Sequence, residues 1–327
     1  MRRLLVRLPN WLGDLLMSRP LLHSLRASFT EAEVWAIGTP AAPLLEEEGL
    51  WDRFLTRDVL VSGRDAASPF QGQRFDAAVI LPPSFSSAWT LWRLAVKRRV
   101  GFAAELRSWL LTDAIRRTAR GERHLSEEYL DLGERLGARR SRLPILRPSE
   151  QGLALATARL RRLGAGGEAP VILGPGAAYG PAKRWPAERF VALGQRLRAR
   201  GHAVLVAGSA EDRETAEPVA AAIGTGAHAI AGETSLSEQL ALCSLSRVTV
   251  TNDSGLGHLA AASGAPTVVV FGSTSSAWTA PLGPRTAVVQ RAPVCSPCFQ
   301  RTCQIGYRCL QAVDVAAVER ACEVVAA

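Results

Sequence analysis

The strongest constraint on this chain is an order of elements written out twice: a short apolar run, a turn of small or polar residues, then a stretch with helical spacing. In the first half, residues 3–8 form an apolar run ended by Pro9-Asn10-Trp11-Leu12-Gly13-Asp14, and residues 15–28 carry Leu15, Leu22 and Leu25 on one helical face. Residues 33–37 and 75–81 read as further strands, the latter stopped by Pro82-Pro83. The second half restarts at residues 171–173, closed by Gly174-Pro175-Gly176, with a helix over 186–200 that opens on Pro186 and ends at Gly201. Strands at 203–207, 247–251 and 267–271 alternate there with helices at 211–223, 235–243 and 255–263. Such alternation predicts parallel sheets with crossover helices, and 327 residues suit two domains. We expect an α/β protein of two Rossmann-like, doubly wound domains. The first spans 1–165 and the second 166–311, and a terminal helix in 312–327 returns to the first domain.

Charge narrows the partners without choosing one. The formal net charge is +9, almost all of the basic residues are arginine, and the partner is therefore expected to be anionic. No zinc-finger spacing or basic heptad region accompanies the charge, so nucleic acid is not expected. No apolar run reaches the ~20 residues of a membrane span. Arg7, Asn10 and Asp14 interrupt the N-terminal apolar stretch before a signal-peptide core of ~7–15 residues can form, so a cytoplasmic chain is expected.

Candidate chemistry gathers at the turns that follow strands, where open α/β sheets bind ligands. Asp14 lies in the first of these turns, just after Gly13. It reads either as a general base for an acceptor hydroxyl or as an acid that favours the start of a helix. In the second half, Pro175-Gly176-Ala177-Ala178-Tyr179-Gly180-Pro181-Ala182-Lys183-Arg184-Trp185 joins a strand to a helix through small residues and two cations. Such a loop approaches a diphosphate closely, with Lys183 and Arg184 to neutralise it, or it is a solvated loop. Thr251-Asn252-Asp253-Ser254-Gly255-Leu256-Gly257-His258 opens a helix of small residues. Its N-terminal N–H groups, Gly255 and His258 suit a phosphate, with Asp253 or Ser254 as the alternative cap. It lacks the G-x-x-x-x-G-K-[ST] of a P-loop, and the first turn lacks G-x-G-x-x-G, which argues against a nicotinamide-dependent dehydrogenase. Glu211 or Asp212, at another strand–helix turn, suits ribose hydroxyls or a helix dipole.

Two further features stand outside these turns. Between Trp89 and Arg123, tryptophans interleave with arginines, among them Arg98, Arg99, Arg116 and Arg117. The stretch reads as an acceptor-facing or membrane-touching surface, or as a pair of amphipathic helices. Cys295, Cys298, Cys303 and Cys309 form C-x2-C-x4-C-x5-C, which reads as a structural zinc or iron knuckle or as a loop of reduced thiols.

Taken in order, N-W-L-G-D, G-P-A-K-R-W-P and T-N-D-S-G-L-G-H resemble the ADP-heptose:lipopolysaccharide heptosyltransferases, glycosyltransferase family 9, and most resemble the members that add the second heptose. The resemblance covers nearly the whole chain. It implies a GT-B fold whose two domains face each other across a cleft, and an inverting transferase that needs no cofactor. The donor would be ADP-heptose and the acceptor heptosyl-Kdo2-lipid A, reached at the cytoplasmic face of the inner membrane. The resemblance implies that Asp14 is the base and that Lys183, Asp253, Ser254, Gly255 and His258 hold the ADP portion. Alternatives are a GT-B transferase for another nucleotide sugar or acceptor, and a non-catalytic nucleotide-sugar-binding protein.

Overall fold

Each half of the chain is built around a six-stranded parallel sheet. The computed structural model describes residues 1–60 and 69–327, divided into two units, Met1–Pro144 and Ile145–Ala327.

The first unit runs β1 (Arg3–Arg7), α1 (Leu12–Met17), α2 (Arg19–Ser28), β2 (Glu33–Gly38), β3 (Arg53–Thr56), β4 (Ala77–Ile80), α3 (Phe85–Arg93), β5 (Arg98–Phe102), β6 (Asp113–Ile115) and α4 (Leu125–Arg135). Its strand order is β3-β2-β1-β4-β5-β6. The core lies on Leu5, Ile37, Ala78 and Ile80 of the central strands, covered by Ala88 and Leu91 of α3. The helix expected over 15–28 is two helices: it begins at Leu12 and breaks at Ser18, because Pro20 in the first turn of α2 has no N–H for a continuous helix. The stretch from Trp89 to Arg123 is not a pair of helices. It holds the end of α3 and two strands, β5 and β6.

The second unit runs α5 (Glu150–Arg162), β7 (Val171–Gly174), α6 (Ala187–Ala199), β8 (Val204–Val206), α7 (Arg213–Ile223), β9 (Ala227–Ala229), α8 (Leu236–Ser244), β10 (Val248–Asn252), α9 (Gly255–Ala262), β11 (Thr267–Phe271), α10 (Ser276–Thr279), β12 (Thr286–Gln290), α11 (Arg308–Gln311) and α12 (Val315–Ala326). Its strand order is β12-β11-β10-β7-β8-β9.

Two expected boundaries need correction. The division falls at residue 144 rather than 165, because α5 belongs to the second core: Ala156 and Leu160 pack with Ile172 and Leu205, and Arg159 pairs with Glu238. The terminal helix does not return to the first domain. Val318, Cys322 and Val325 of α12 bury against Val268 and Val270 of the second sheet, and Glu319 takes ion pairs from Arg196 and Arg200 of the second unit.

In each sheet the chain order reverses beside its first strand, between β1 and β4 and between β7 and β10. Loops leaving the carboxyl ends of those pairs diverge and leave a crevice, the standard ligand site of an open α/β sheet.

Candidate active site

In the second unit, the turns after β7 and β10 meet at that crevice and are stitched together by Asn252. Its buried side chain donates to the carbonyls of Pro175 (2.7 Å) and Gly176 (3.2 Å) and accepts from the Trp185 N–H (2.9 Å). The loop after β7 is thereby fixed in place before any ligand arrives.

On this frame Lys183 meets Asp253. The ammonium lies 2.5 Å from Oδ2 of the carboxylate, which also accepts from Thr274 Oγ1 at 2.6 Å. Asp253 is buried and Lys183 nearly so, and the Tyr179 ring lies 4.9 Å from the ammonium. The lysine is thus aimed by a carboxylate and an aromatic face. Ser254 is the N-cap of α9 in an extended conformation, with no side-chain cap on the helix. The helix therefore presents N–H groups and the positive end of its dipole to the crevice. Gly255 starts the helix and His258 is buried in its first turn. These five expected residues, Lys183, Asp253, Ser254, Gly255 and His258, are brought together.

The others separate. Arg184 is exposed, and its guanidinium donates to the Ala177 carbonyl of its own loop at 3.3 Å. Asp212 closes a capping box with Ser209, taking its N–H and hydroxyl at 2.9 Å. Its carboxylate also sits over Gly176: a Cβ there would lie 2.0 Å from Oδ1, which accounts for glycine at that place. Glu211 projects into solvent, its carboxyl held below the ordinary value by a hydrogen bond from Ser209.

In the first unit, Asp14 is half-buried in the first turn of α1. The N-cap is Trp11, which makes no side-chain cap. The hydroxyl of buried Tyr129 on α4 is pushed well up, first by burial and then by the nearby Asp14 carboxylate. Arg7 explains why the turn holds its shape. Its buried guanidinium donates to Asn10 Oδ1 at 2.8 Å, to the Leu8 carbonyl and to the Ile37 carbonyl at 3.4 Å. Burial first, and then the Arg57 charge, lower the Arg7 guanidinium to about 10. Sequence reasoning assigned no role to Arg7 or Asn252. The available signals were a charge inside an apolar strand and an amide at the end of one.

The arginines expected to face an acceptor are mostly engaged within their own unit. Arg98 pairs with Asp113 at 3.1 Å, and Arg99 donates to the Leu110 and Val96 carbonyls. Arg117 is held by the buried Glu128 at 2.6 Å. Arg116 alone of the four is exposed without such a contact being formed through its guanidinium among those described.

The cysteine knuckle is not formed: among the described residues, no group of three or more His, Cys, Asp or Glu is arranged to hold a metal ion. Cys309 is buried in the core and its thiol is pushed up by that burial, while Cys303 Sγ accepts the N–H groups of Ile305 and Tyr307 and Cys295 is exposed. The loop instead braces the turns after β7 and β11. The Arg301 carbonyl takes the Ala182 N–H (3.0 Å), the Phe299 N–H donates to Ser273 O (2.8 Å), and the Tyr179 hydroxyl donates to Phe299 O (2.5 Å).

Comparison with known proteins shows the family and the fold. The profile described as glycosyltransferase family 9 (heptosyltransferase) matches residues 67–308. The chain is 32% identical over 306 residues to lipopolysaccharide heptosyltransferase 2 of Escherichia coli K12, covering 88% of each. The solved structure of E. coli ADP-heptose LPS heptosyltransferase II superposes with a TM-score of 0.81 at 27% identity, covering 100% of this chain and 98% of that one. E. coli heptosyltransferase WaaC with ADP shares the fold, with a TM-score of 0.72 at 19% identity over 98% of this chain and 99% of that one. The two doubly wound sheets are those of a GT-B glycosyltransferase, and the chain belongs to glycosyltransferase family 9, the heptosyltransferases.

Proposed function

We propose that this enzyme transfers L-glycero-D-manno-heptose from ADP-heptose to heptosyl-Kdo2-lipid A, with inversion at the anomeric carbon. The observation that carries the reading is Lys183, aimed by Asp253 beside the uncapped start of α9 at the switch point of the second sheet. That arrangement suits a departing diphosphate, and the relatives that match along most of the chain bear heptosyltransferase 2 names.

In this mechanism the acceptor oxygen forms a bond to the anomeric carbon as the bond from that carbon to the diphosphate oxygen breaks. Asp14 takes the hydroxyl proton, and ADP leaves with the electron pair. The negative charge growing on the diphosphate is met by Lys183, by His258 and by the N–H groups at Ser254 and Gly255. Glu211, the solvent-exposed acid of its pair, is the one available to ribose hydroxyls; Asp212 is set in the capping box and packed over Gly176. Lysine, histidine and helix dipole supply the charge compensation, so no metal is assigned to the step. Because the acceptor is lipid-linked, the enzyme works as a peripheral protein at the cytoplasmic face of the inner membrane.

The test is transfer from ADP-heptose to heptosyl-Kdo2-lipid A, followed by product mass, with wild type beside Asp14→Ala. One heptose added by wild type and none by the variant, with ADP-heptose still bound by both, is the expected result. Wild type that binds ADP-heptose and adds nothing to this acceptor would overturn the acceptor assignment.

A further inference from the structure

The outer side of α3 carries aromatic rings where a helix of a folded domain ordinarily carries polar residues. Phe85, Trp89 and Trp92 stand at i, i+4 and i+7, on one side of the helix. Ala88 and Leu91 bury against the sheet, whereas Trp89 is 37% and Trp92 42% exposed. Trp109, from the segment before β6, is 62% exposed and completes the cluster. Ring centroids lie 5.0 Å apart for Trp89 and Trp92, and 6.3 Å apart for Trp92 and Trp109. Leu106 is 91% exposed on a turn whose residues Glu105 and Leu106 both have positive φ, 47° and 55°. Non-glycine residues are uncommon in that region, and this turn carries a leucine out into water.

This patch is built rather than frayed. Arg107, fully buried, ties its two segments together: it donates to the carbonyls of Pro82 (2.6 Å), Ser84 (3.0 Å) and Phe102 (2.9 Å) and to Ser87 Oγ (2.9 Å). Glu105 Oε2 accepts the Phe85 N–H at 2.9 Å, binding this turn to the start of α3. Beside the one acid of this turn, Glu105, the surround carries two exposed arginines. Arg93 is exposed at the end of α3, and Arg116 leaves the sheet beside this turn, since the Ala103 N–H meets the Ile115 carbonyl at 2.8 Å.

We infer that Leu106, Trp89, Trp92 and Trp109 form a wedge that seats this enzyme in an anionic phospholipid surface. Tryptophan suits the headgroup level, where its ring is apolar and its N–H meets water. A projecting leucine gains by entering the acyl boundary, and Arg93 and Arg116 favour anionic headgroups while opposing a second copy of a chain of formal charge +9. The patch begins at the carboxyl end of β4, whose Ile80 pairs with Arg7 of β1, so it shares a sheet edge with the Asp14 turn. The inference rests on the lipid-linked acceptor proposed above, and it replaces the arginines of β5 with aromatic side chains as the contact.

The experiment uses the full chain with vesicles of phosphatidylethanolamine and phosphatidylglycerol. It measures co-sedimentation and tryptophan quenching by brominated lipid for wild type, Leu106→Asp and Trp92→Ser. Leu106 has no core contact to lose, so its variant reports on the surface and not on folding. Expected are quenching in wild type, binding weakened about tenfold or more by Leu106→Asp, and loss of transfer to vesicle-borne acceptor with transfer to a de-acylated, water-soluble acceptor retained. Wild type that does not bind vesicles, or variants that bind as wild type does, would sink the inference, as would a Leu106→Asp variant that only breaks a dimer. Vesicle binding lost in Leu106→Asp while wild type transfers no heptose would leave the wedge standing and remove the proposed reaction.

Discussion

The Lys183 ammonium sits 2.5 Å from the Asp253 carboxylate, and Thr274 holds the same oxygen from another side. A lysine so tethered keeps its ammonium in one place, between the carboxylate and the Tyr179 ring. Lys183→Met should lower kcat by about 10²–10³, the usual effect of losing one preorganised charge donor. Lys183→Arg should recover little, because a planar guanidinium does not reproduce a point charge set between Asp253 and the Tyr179 ring. Steady-state kinetics with ADP-heptose check both; full rescue by arginine would show that net charge alone matters.

Asp14 is tested separately from folding. Trp11, not Asp14, is the N-cap of α1, and Asp14→Asn keeps the size and polarity of the side chain, so the variant should still unfold cooperatively in urea. Transfer should fall by about 10²–10⁴ through loss of the base, with ADP-heptose affinity unchanged in calorimetry. A variant with normal turnover would remove Asp14 from the mechanism.

Asn252 links the turns after β7 and β10 from inside. Asn252→Leu leaves the Pro175 and Gly176 carbonyls and the Trp185 N–H without their partner. Buried groups so orphaned cost about 1–3 kcal/mol each, so urea unfolding should register a loss of several kcal/mol. At temperatures where the variant stays folded, the KM for ADP-heptose should rise.

Arg19 and Glu48 form a nearly buried pair in the first unit, with His23 on the same carboxylate. Burial, the largest single influence, would raise the Glu48 carboxyl, but the hydrogen bonds and charges of Arg19 and His23 together outweigh it and hold the group below its ordinary 4.5. Folding therefore lowers this pKa, and unfolding takes up a proton. The stabilisation is full above the ordinary value and disappears as pH falls through the lower, folded one. Stability of Glu48→Gln should be lower than wild type at neutral pH, and the gap should narrow on acidification. A gap that stays constant across that range would show that the ionised carboxylate contributes nothing specific.

The sequence by itself determined the central architecture. β1, β4, β7, β8, β10 and β11 read as apolar runs because helices cover both faces of an inner parallel strand, and their burial is almost unbroken. The turns after them were legible for the same reason: glycine, proline and polar residues must interrupt such runs where the chain leaves the sheet. The outer strands β3, β6, β9 and β12 are only partly buried, so their side chains carry little apolar signal. β5 opens on two arginines and hid in a basic stretch. Only the tertiary structure decided what the polar residues do. Arg98, Arg99 and Arg117 found carboxylates and carbonyls on neighbouring strands, loops and helices of their own unit, while Asn252 became the clasp of the turns after β7 and β10. α12 joined the second core because Val318, Cys322 and Val325 fit there. Periodicity shows that a face will be buried, but the partner that buries it is set by long-range packing, which no local pattern encodes.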